Sequence, residues 1–105
     1  MAFRGGMTEL MRQASRMQRK IEQRKKELEK ETVEAASGGG KVKAVVNGAR
    51  EVVSIDIGAE ALAMDKEMLQ DLVVAAVNAA LAKAAERVEQ ELEKVTGGVK
   101  VPGMF

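Results

Sequence analysis

Hydrophobic residues recur at intervals of three and four along two long segments of this chain, and they alternate with polar residues between them. In the first segment the apolar positions are Met7, Leu10, Ala14, Met17, Ile21 and Leu28. Residues at this spacing form an apolar seam along one side of a helix, which is typical of a helix that packs lengthwise on another. Thr8 is a good N-cap and follows Gly5 and Gly6, so the pattern predicts a helix over 8–30.

The central segment, 32–57, has the period of a small sheet. Glycine-rich or Asn-Gly turns separate runs in which apolar and polar residues alternate. Asn47-Gly48 is the strongest short signal of a β-hairpin. The runs predicted as strands are 32–36, 41–46 and 52–57. Together they form a three-stranded antiparallel meander, with edges that must be paired or covered.

The second helical pattern is the longest element. Asp65 is its predicted N-cap and Gly97-Gly98 end it, so the helix covers 65–96 and is followed by a tail over 97–105. Thirty residues reach about 45 Å at 1.5 Å per residue, which exceeds what a compact domain of this size covers. Two apolar stripes run along this helix. The first is Leu69, Leu72, Val73, Ala76 and Ala80, and the second is Val77, Leu81, Ala84, Val88, Leu92 and Val95.

The order helix, sheet, helix predicts one α+β domain over residues 1–105. By this count of elements, the seam of the first helix and the far half of the second have no cover within the chain. We expect self-association to cover these apolar surfaces, and we therefore expect an obligate homodimer. The interface is predicted on the second helix at Leu81, Ala84, Val88 and Leu92.

One face of the first helix is basic. Five residues recur in steps of four, three, seven and four, and so share the face opposite the seam: Arg12, Arg16, Arg19, Lys26 and Lys30. Residues 1–30 hold nine Lys or Arg and four acids, a charge of +5, and residues 31–105 hold eight and twelve, a charge of −4. This asymmetry indicates a nucleic acid or an anionic surface as partner.

A solvated helix face is the simpler interpretation of such a stripe. Solvated helices usually mix signs, however, whereas like charges four residues apart repel by about 0.2–0.5 kcal/mol each. A polyanion would reverse that cost. The predicted DNA-binding residues are therefore the five of the stripe together with Lys20. Lys83 and Arg87 on the second helix are also predicted to bind DNA, as a weaker stripe that neighbouring acids dilute.

Several other kinds of site are disfavoured by the composition. The chain has no Cys and no His, which removes the usual ligands of metal sites and the usual general base. Gly38–Lys41 lacks the remaining positions of a phosphate-binding loop. We therefore expect no catalysis, metal, cofactor or small-molecule substrate. Leu72–Ala82 is too short to span a bilayer and no secretory signal is present, so a cytoplasmic protein without membrane contact is expected.

Four segments in order resemble one known family. They are GGMTELMRQASRMQRKIE at 5–22, VNGAREVVSIDI at 46–57, DKEMLQDLVVAAVNAALAKAAE at 65–86 and GGVKVPGMF at 97–105. Their amino-acid sequences and spacing are similar to those of the YbaB/EbfC family of bacterial nucleoid-associated proteins. The resemblance implies a small α-β fold that dimerises into a tweezers-like shape, a cytoplasmic, nucleoid-associated location, and DNA binding without catalysis.

The expected function is thus duplex DNA binding by a homodimer, mainly through phosphates, with a role in nucleoid organisation or gene regulation. No base-reading pattern and only two aromatic residues are present, which disfavours sequence readout and stacking on single strands. The alternative is a coiled-coil scaffold or holdase-like chaperone whose helices bind protein. The dependence on salt distinguishes the two functions. Binding to DNA phosphates weakens steeply as the salt concentration rises, whereas hydrophobic binding to a protein does not.

Overall fold

The computed structural model describes residues 2–98, with side chains from residue 6 onward. Its elements are α1 (Ala2–Lys30), β1 (Thr32–Ser37), β2 (Val42–Asn47), β3 (Val52–Ile57), α2 (Ala59–Leu62) and α3 (Lys66–Val95). The predicted order of long helix, three-stranded antiparallel meander and long helix is confirmed. Residues 99–105 of the predicted tail lie outside the described residues.

The first helix starts earlier than predicted. It begins at Ala2 and runs through Gly5 and Gly6, so that Thr8 lies inside the helix and is not its N-cap. Glycine weakens an exposed helix by only about 0.5–1 kcal/mol relative to alanine, and it does not forbid helical backbone angles. The good helix formers that follow therefore continue the helix through the glycine pair.

The three strands form a meander in the order β1-β2-β3, and β2 lies at its centre. Val42, Ala44 and Val46 point to one face and are completely buried, as their alternation predicts. The pairing of β2 with β3 shifts register at Val45 and Val46, where a bulge leaves Val53 without a partner.

The turn after β2 is at the predicted place but has a different physical basis. It spans four residues, and the Asn47 side-chain oxygen accepts hydrogen bonds from the backbone N–H groups of Ala49 at 2.9 Å and Glu51 at 3.0 Å. Arg50, not Gly48, has the positive φ, at 64°. Gly48 is needed for a close approach instead, because a Cβ placed there would overlap the Leu28 carbonyl oxygen at the end of α1.

The long helix α3 has the ends predicted from the sequence. Asp65 is its N-cap, and the carboxylate accepts a hydrogen bond of 2.8 Å from the backbone N–H of Met68. Gly97 and Gly98 follow it with φ values of 68° and 92°. The Gly98 N–H returns to the Glu93 carbonyl, which closes the helix end. The short α2, with a buried Ala61, was not predicted.

The main core lies between α3 and the sheet. Ala76, Ala80 and Ala84 of α3 are buried, and their small side chains let the helix lie close over β1 and β2. Within residues 2–98, α3 is also the one helix that is long and apolar enough to cross a membrane by length and composition. The sheet covers one of its apolar faces.

A second core cluster joins the two long helices. Ile21 and Leu28 of α1 pack on Leu92 of α3, and all three side chains are buried. The helices run antiparallel, since Leu28 lies beside Val88 and Met17 lies beside Val95. The chain thus covers part of the seam itself.

This packing corrects the prediction that the seam and the far half of the second helix have no cover within the chain. Ala84 and Leu92, predicted at the dimer interface, are buried in the two cores of their own chain. Only Leu81 and Val88 of the predicted set keep exposed area.

Two apolar surfaces are left without cover by the described residues. The first half of α1 projects beyond the end of α3, and its seam residues Met7 and Leu10 are 68% and 65% exposed. The second apolar surface is the edge strand β3, because α3 extends little over it. Val53 is 56% exposed and Ile55 is 41% exposed. Soluble proteins rarely leave contiguous apolar surface without a partner.

The close approach at Gly48 can be tested by substitution. We expect Gly48→Ala to lower the free energy of unfolding by about 1–3 kcal/mol, because the added methyl meets backbone atoms of α1 that cannot rotate away. Thermal unfolding at fixed protein concentration measures this, at about 4–8 °C per kcal/mol.

Gly6→Ala is the matched control. A Cβ at this helical position would meet nothing within 4 Å, so the substitution is expected to leave the unfolding temperature unchanged or to raise it. If Gly48→Ala is as stable as the unsubstituted protein, the hairpin does not contact α1 as described.

Candidate nucleic-acid interface

The packing of α1 on α3 determines where the basic stripe points. Ile21 and Leu28 face α3, and the stripe lies on the opposite side of the same helix. Its five members are therefore on the outer surface, and all are exposed: Arg12, Arg16, Arg19, Lys26 and Lys30. The structure thus brings these predicted residues together on one face.

Few acidic groups neutralise this face. Glu9 lies 4.0 Å from Arg12 and 3.6 Å from Arg16, and both arginine side chains are more than half exposed. Such exposed pairs contribute little and are readily exchanged for another anion. Among the described residues, Arg19, Lys26 and Lys30 form no ion pair. Their charges are available to an external polyanion.

Lys20 lies at the margin of the stripe. It borders a shallow cleft between the helices that Met17 and Val95 also line, and a second one that Lys94 lines. Its ammonium group is exposed and adds positive charge at the open end of the helix pair.

The two predicted residues on the second helix are in a different situation. Lys83 donates a hydrogen bond of 3.0 Å to the backbone carbonyl of Glu34 in β1. Arg87 lies 3.2 Å from the Glu31 carboxylate and 3.8 Å from that of Glu91. Both cations already have partners on the body of the protein, so the structure does not join them to the α1 stripe.

An ion-pair network at the junction of α1 and α3 was missed by the sequence analysis. Its centre is Arg24, whose guanidinium lies 3.0 Å from Glu27, 3.7 Å from Glu31 and 3.2 Å from Glu91. Lys94 adds a contact of 2.9 Å to Glu91. The sequence did contain a signal for this network. Arg24 interrupts the apolar seam of α1, and Glu27 and Glu31 follow it by three and seven residues.

The network changes the pKa values of its two central groups. The hydrogen bond from Lys94 is the largest influence on Glu91 and lowers the pKa of its carboxyl group, against a smaller opposing effect of desolvation. The hydrogen bond to Glu27 is the largest influence on Arg24 and raises the pKa of its guanidinium. Both groups are therefore held in their charged forms, and the network ties the two helices together across their seam.

The arrangement presents exposed cations that can bind anions. Within residues 2–98, no group of three or more His, Cys, Asp or Glu side chains could hold a metal ion. The hollow along the first half of α1 is lined by Met11, Ser15 and three arginines, and it is open to solvent. Its chemistry is that of exposed guanidinium groups, which favour phosphate.

Comparison with known proteins identifies the family of this chain. Residues 3–99 match the sequence model of the YbaB/EbfC DNA-binding family. A nucleoid-associated protein of Pelotomaculum thermopropionicum is 48% identical over 102 residues, which are 96% of this chain and 97% of that protein. One from Myxococcus xanthus is 50% identical over 95 residues, 90% of each chain.

A solved structure has the same architecture. The crystal structure of an uncharacterized protein from Helicobacter pylori superimposes with a TM-score of 0.62 at 26% sequence identity. The match covers 74% of this chain and 92% of that one. With the family match extending over nearly the whole sequence, the chain belongs to the YbaB/EbfC DNA-binding family.

Proposed function

We propose that this protein is a non-enzymatic, nucleoid-associated protein that binds double-stranded DNA as a homodimer through the outer face of α1. Its site of action is the nucleoid, in the cytoplasm, where it contributes to nucleoid organisation or gene regulation. Membership of a DNA-binding family and the nucleoid-associated names of its relatives support the general assignment.

The observation that carries the choice of surface is the orientation of the stripe. Five basic side chains face outward on a single continuous helix, while Lys83 and Arg87 are held by groups of the protein itself. The residues proposed to contact DNA are therefore the five of the stripe with Lys20. The two cations of α3 are proposed as secondary contributors only.

The dimensions of the stripe suit a DNA backbone. Arg12 and Lys30 are eighteen residues apart, which corresponds to about 27 Å along the helix at 1.5 Å per residue. At a rise of 3.4 Å per base pair, this length corresponds to roughly eight base pairs. A stripe of this length can follow phosphates. Since no pattern of base-reading side chains accompanies it, the proposed binding depends little on DNA sequence.

Dimerisation is proposed through the uncovered edge strand. Ile55 and Ile57 point to the same side of the sheet as the buried residues of β2. Ile57 is half-buried against the main core, whereas Ile55 is 41% exposed because α3 extends little over β3. Val53 and the flank of α3 at Val74, 58% exposed, enlarge the apolar surface. A second copy would pair or cover this edge and bury the surface. Leu81, at the margin of the core, remains a proposed interface residue.

A scaffold or holdase-like function is the second candidate. It is favoured by the exposed Met7, Leu10 and Met11 of α1, because flexible methionine side chains suit apolar protein segments. That function would use the apolar side of α1, and the proposed DNA binding uses the basic side. Substitutions on the two sides separate the alternatives.

The DNA-binding face can be tested by charge reversal. We expect Arg16→Glu with Arg19→Glu to weaken binding to duplex DNA at least tenfold at low salt, because two attractive contacts become repulsive. Both residues are exposed and lie off the seam, so helicity and oligomeric state are expected to persist. Gel-shift titration with unrelated duplexes measures the loss.

The matched control is Lys43→Glu with Lys66→Glu. Both pairs of substitutions change the net charge from +1 to −3, but the control places the change on exposed sites of the sheet and of α3. The control is expected to bind DNA within about threefold of the unsubstituted protein. Equal losses in the two variants would contradict a DNA-binding face on α1.

The proposed dimer can be tested at the edge strand. Ile55→Asp would bury an unpaired carboxylate in each half of the interface, at a cost of several kcal/mol, so the dimer dissociation constant should rise more than a hundredfold. Because Ile55 is 41% exposed within one chain and lies at the edge of the sheet, the monomer should stay folded. Analytical ultracentrifugation and circular dichroism report the two properties.

Ser54→Asp is the control, since Ser54 is the exposed neighbour on the opposite side of β3. It is expected to leave the dimer intact. A monomeric unsubstituted protein at micromolar concentration, or an Ile55→Asp variant that dimerises normally, would refute this interface.

A further inference from the structure

The first half of α1 has an apolar stripe without a partner in the described structure. From the end of α3 outward, the seam positions Met17, Ala14, Leu10 and Met7 are all exposed. The same helix buries Ile21 and Leu28 completely where α3 accompanies it. One continuous stripe is thus covered in its second half and uncovered in its first.

The point at which α3 ends is close to the beginning of the uncovered part. Val95, the last residue of α3, lines the same cleft as Met17 and Gln13. Gly97 and Gly98 follow with left-handed backbone angles that stop the helix and redirect the chain. The segment that continues from Gly98 therefore starts beside the uncovered stripe.

We propose that this segment, residues 99–105, is the occupant and docks on the stripe of its own chain. Its sequence, Val-Lys-Val-Pro-Gly-Met-Phe, has five large or ring-containing apolar residues and a single charged side chain, Lys100. Seven residues reach about 23 Å at roughly 3.3 Å each. The distance from Met17 to Met7 along the helix is about 15 Å at 1.5 Å per residue. The segment is thus long enough.

Charge favours this occupant over the same helix of a second copy. Residues 6–20 carry four basic side chains and one acid, a net charge of +3. Two such helix halves side by side would repel each other, whereas the 99–105 segment brings one positive side chain. Docking on the seam side also leaves the opposite, basic face free. The proposal therefore does not depend on whether that face binds DNA.

Cross-linking of introduced cysteines tests the proposal, since the chain has no cysteine of its own. Leu10→Cys is combined with Val101→Cys, and Ser15→Cys with Val101→Cys is the control. Ser15 is exposed on α1 but lies about 130° around the helix from the stripe, at 100° per residue. A short bis-maleimide joins each pair in the folded protein, and denaturing gels separate intrachain from interchain products.

Docking predicts that the Leu10 pair forms the intrachain product at least about tenfold faster than the Ser15 pair, because docking raises the local concentration at the stripe only. Comparable intrachain rates for the two pairs would overturn the proposal. So would a Leu10 pair that yields mainly interchain product, which would assign the stripe to a second copy.

A fluorescence measurement provides an independent readout. The chain has no tryptophan, so Phe105→Trp introduces a single reporter. Docking predicts an emission maximum shifted to the blue relative to the same protein in denaturant, and a loss of that shift when Leu10→Asp is added. Leu10 is 65% exposed, so this substitution should not alter helicity. Emission that Leu10→Asp leaves unchanged would contradict docking on the stripe.

Discussion

The contact of Ile21 and Leu28 with Leu92 is the interaction on which the rest of the molecule depends. It aligns two long helices antiparallel and determines which side of α1 is inside. Because α3 is itself anchored on β1 and β2, the contact attaches α1 to the sheet domain. Burying these aliphatic side chains is favourable, whereas burying the basic stripe would not be, and this difference fixes the rotation of α1.

Electrostatics reinforces the same orientation. The cations of the helix junction are matched by acids, with Arg24 among three carboxylates and Arg87 beside Glu31. The cations of the outer face are matched only in part, by Glu9. The protein thus neutralises the charges that hold its helices together and leaves most of those that point outward without an acidic partner. That difference distinguishes positions with a structural role from those proposed to bind DNA.

Much of this architecture was predictable, because it depends on local patterns. The alternation around Val42 identified the central strand, and the Asp65 cap located the start of α3. The basic stripe followed from helical spacing alone. Two errors are local, namely the start of α1 and the short α2. The others concern contacts between distant segments. No local pattern shows that Gly48 passes close to the end of α1, or that Leu92 packs within its own chain and so is not free for a partner.

The dependence of DNA affinity on salt tests the central claim, that an outward-facing stripe of cations binds phosphates, most directly. Five contacts from one stripe, or twice that number from two, predict a slope of log K against log salt between about −4 and −9, at roughly −0.9 per phosphate. Binding to unrelated duplexes should give nearly the same slope. A slope near zero would contradict the account and favour a protein partner on the apolar side of α1.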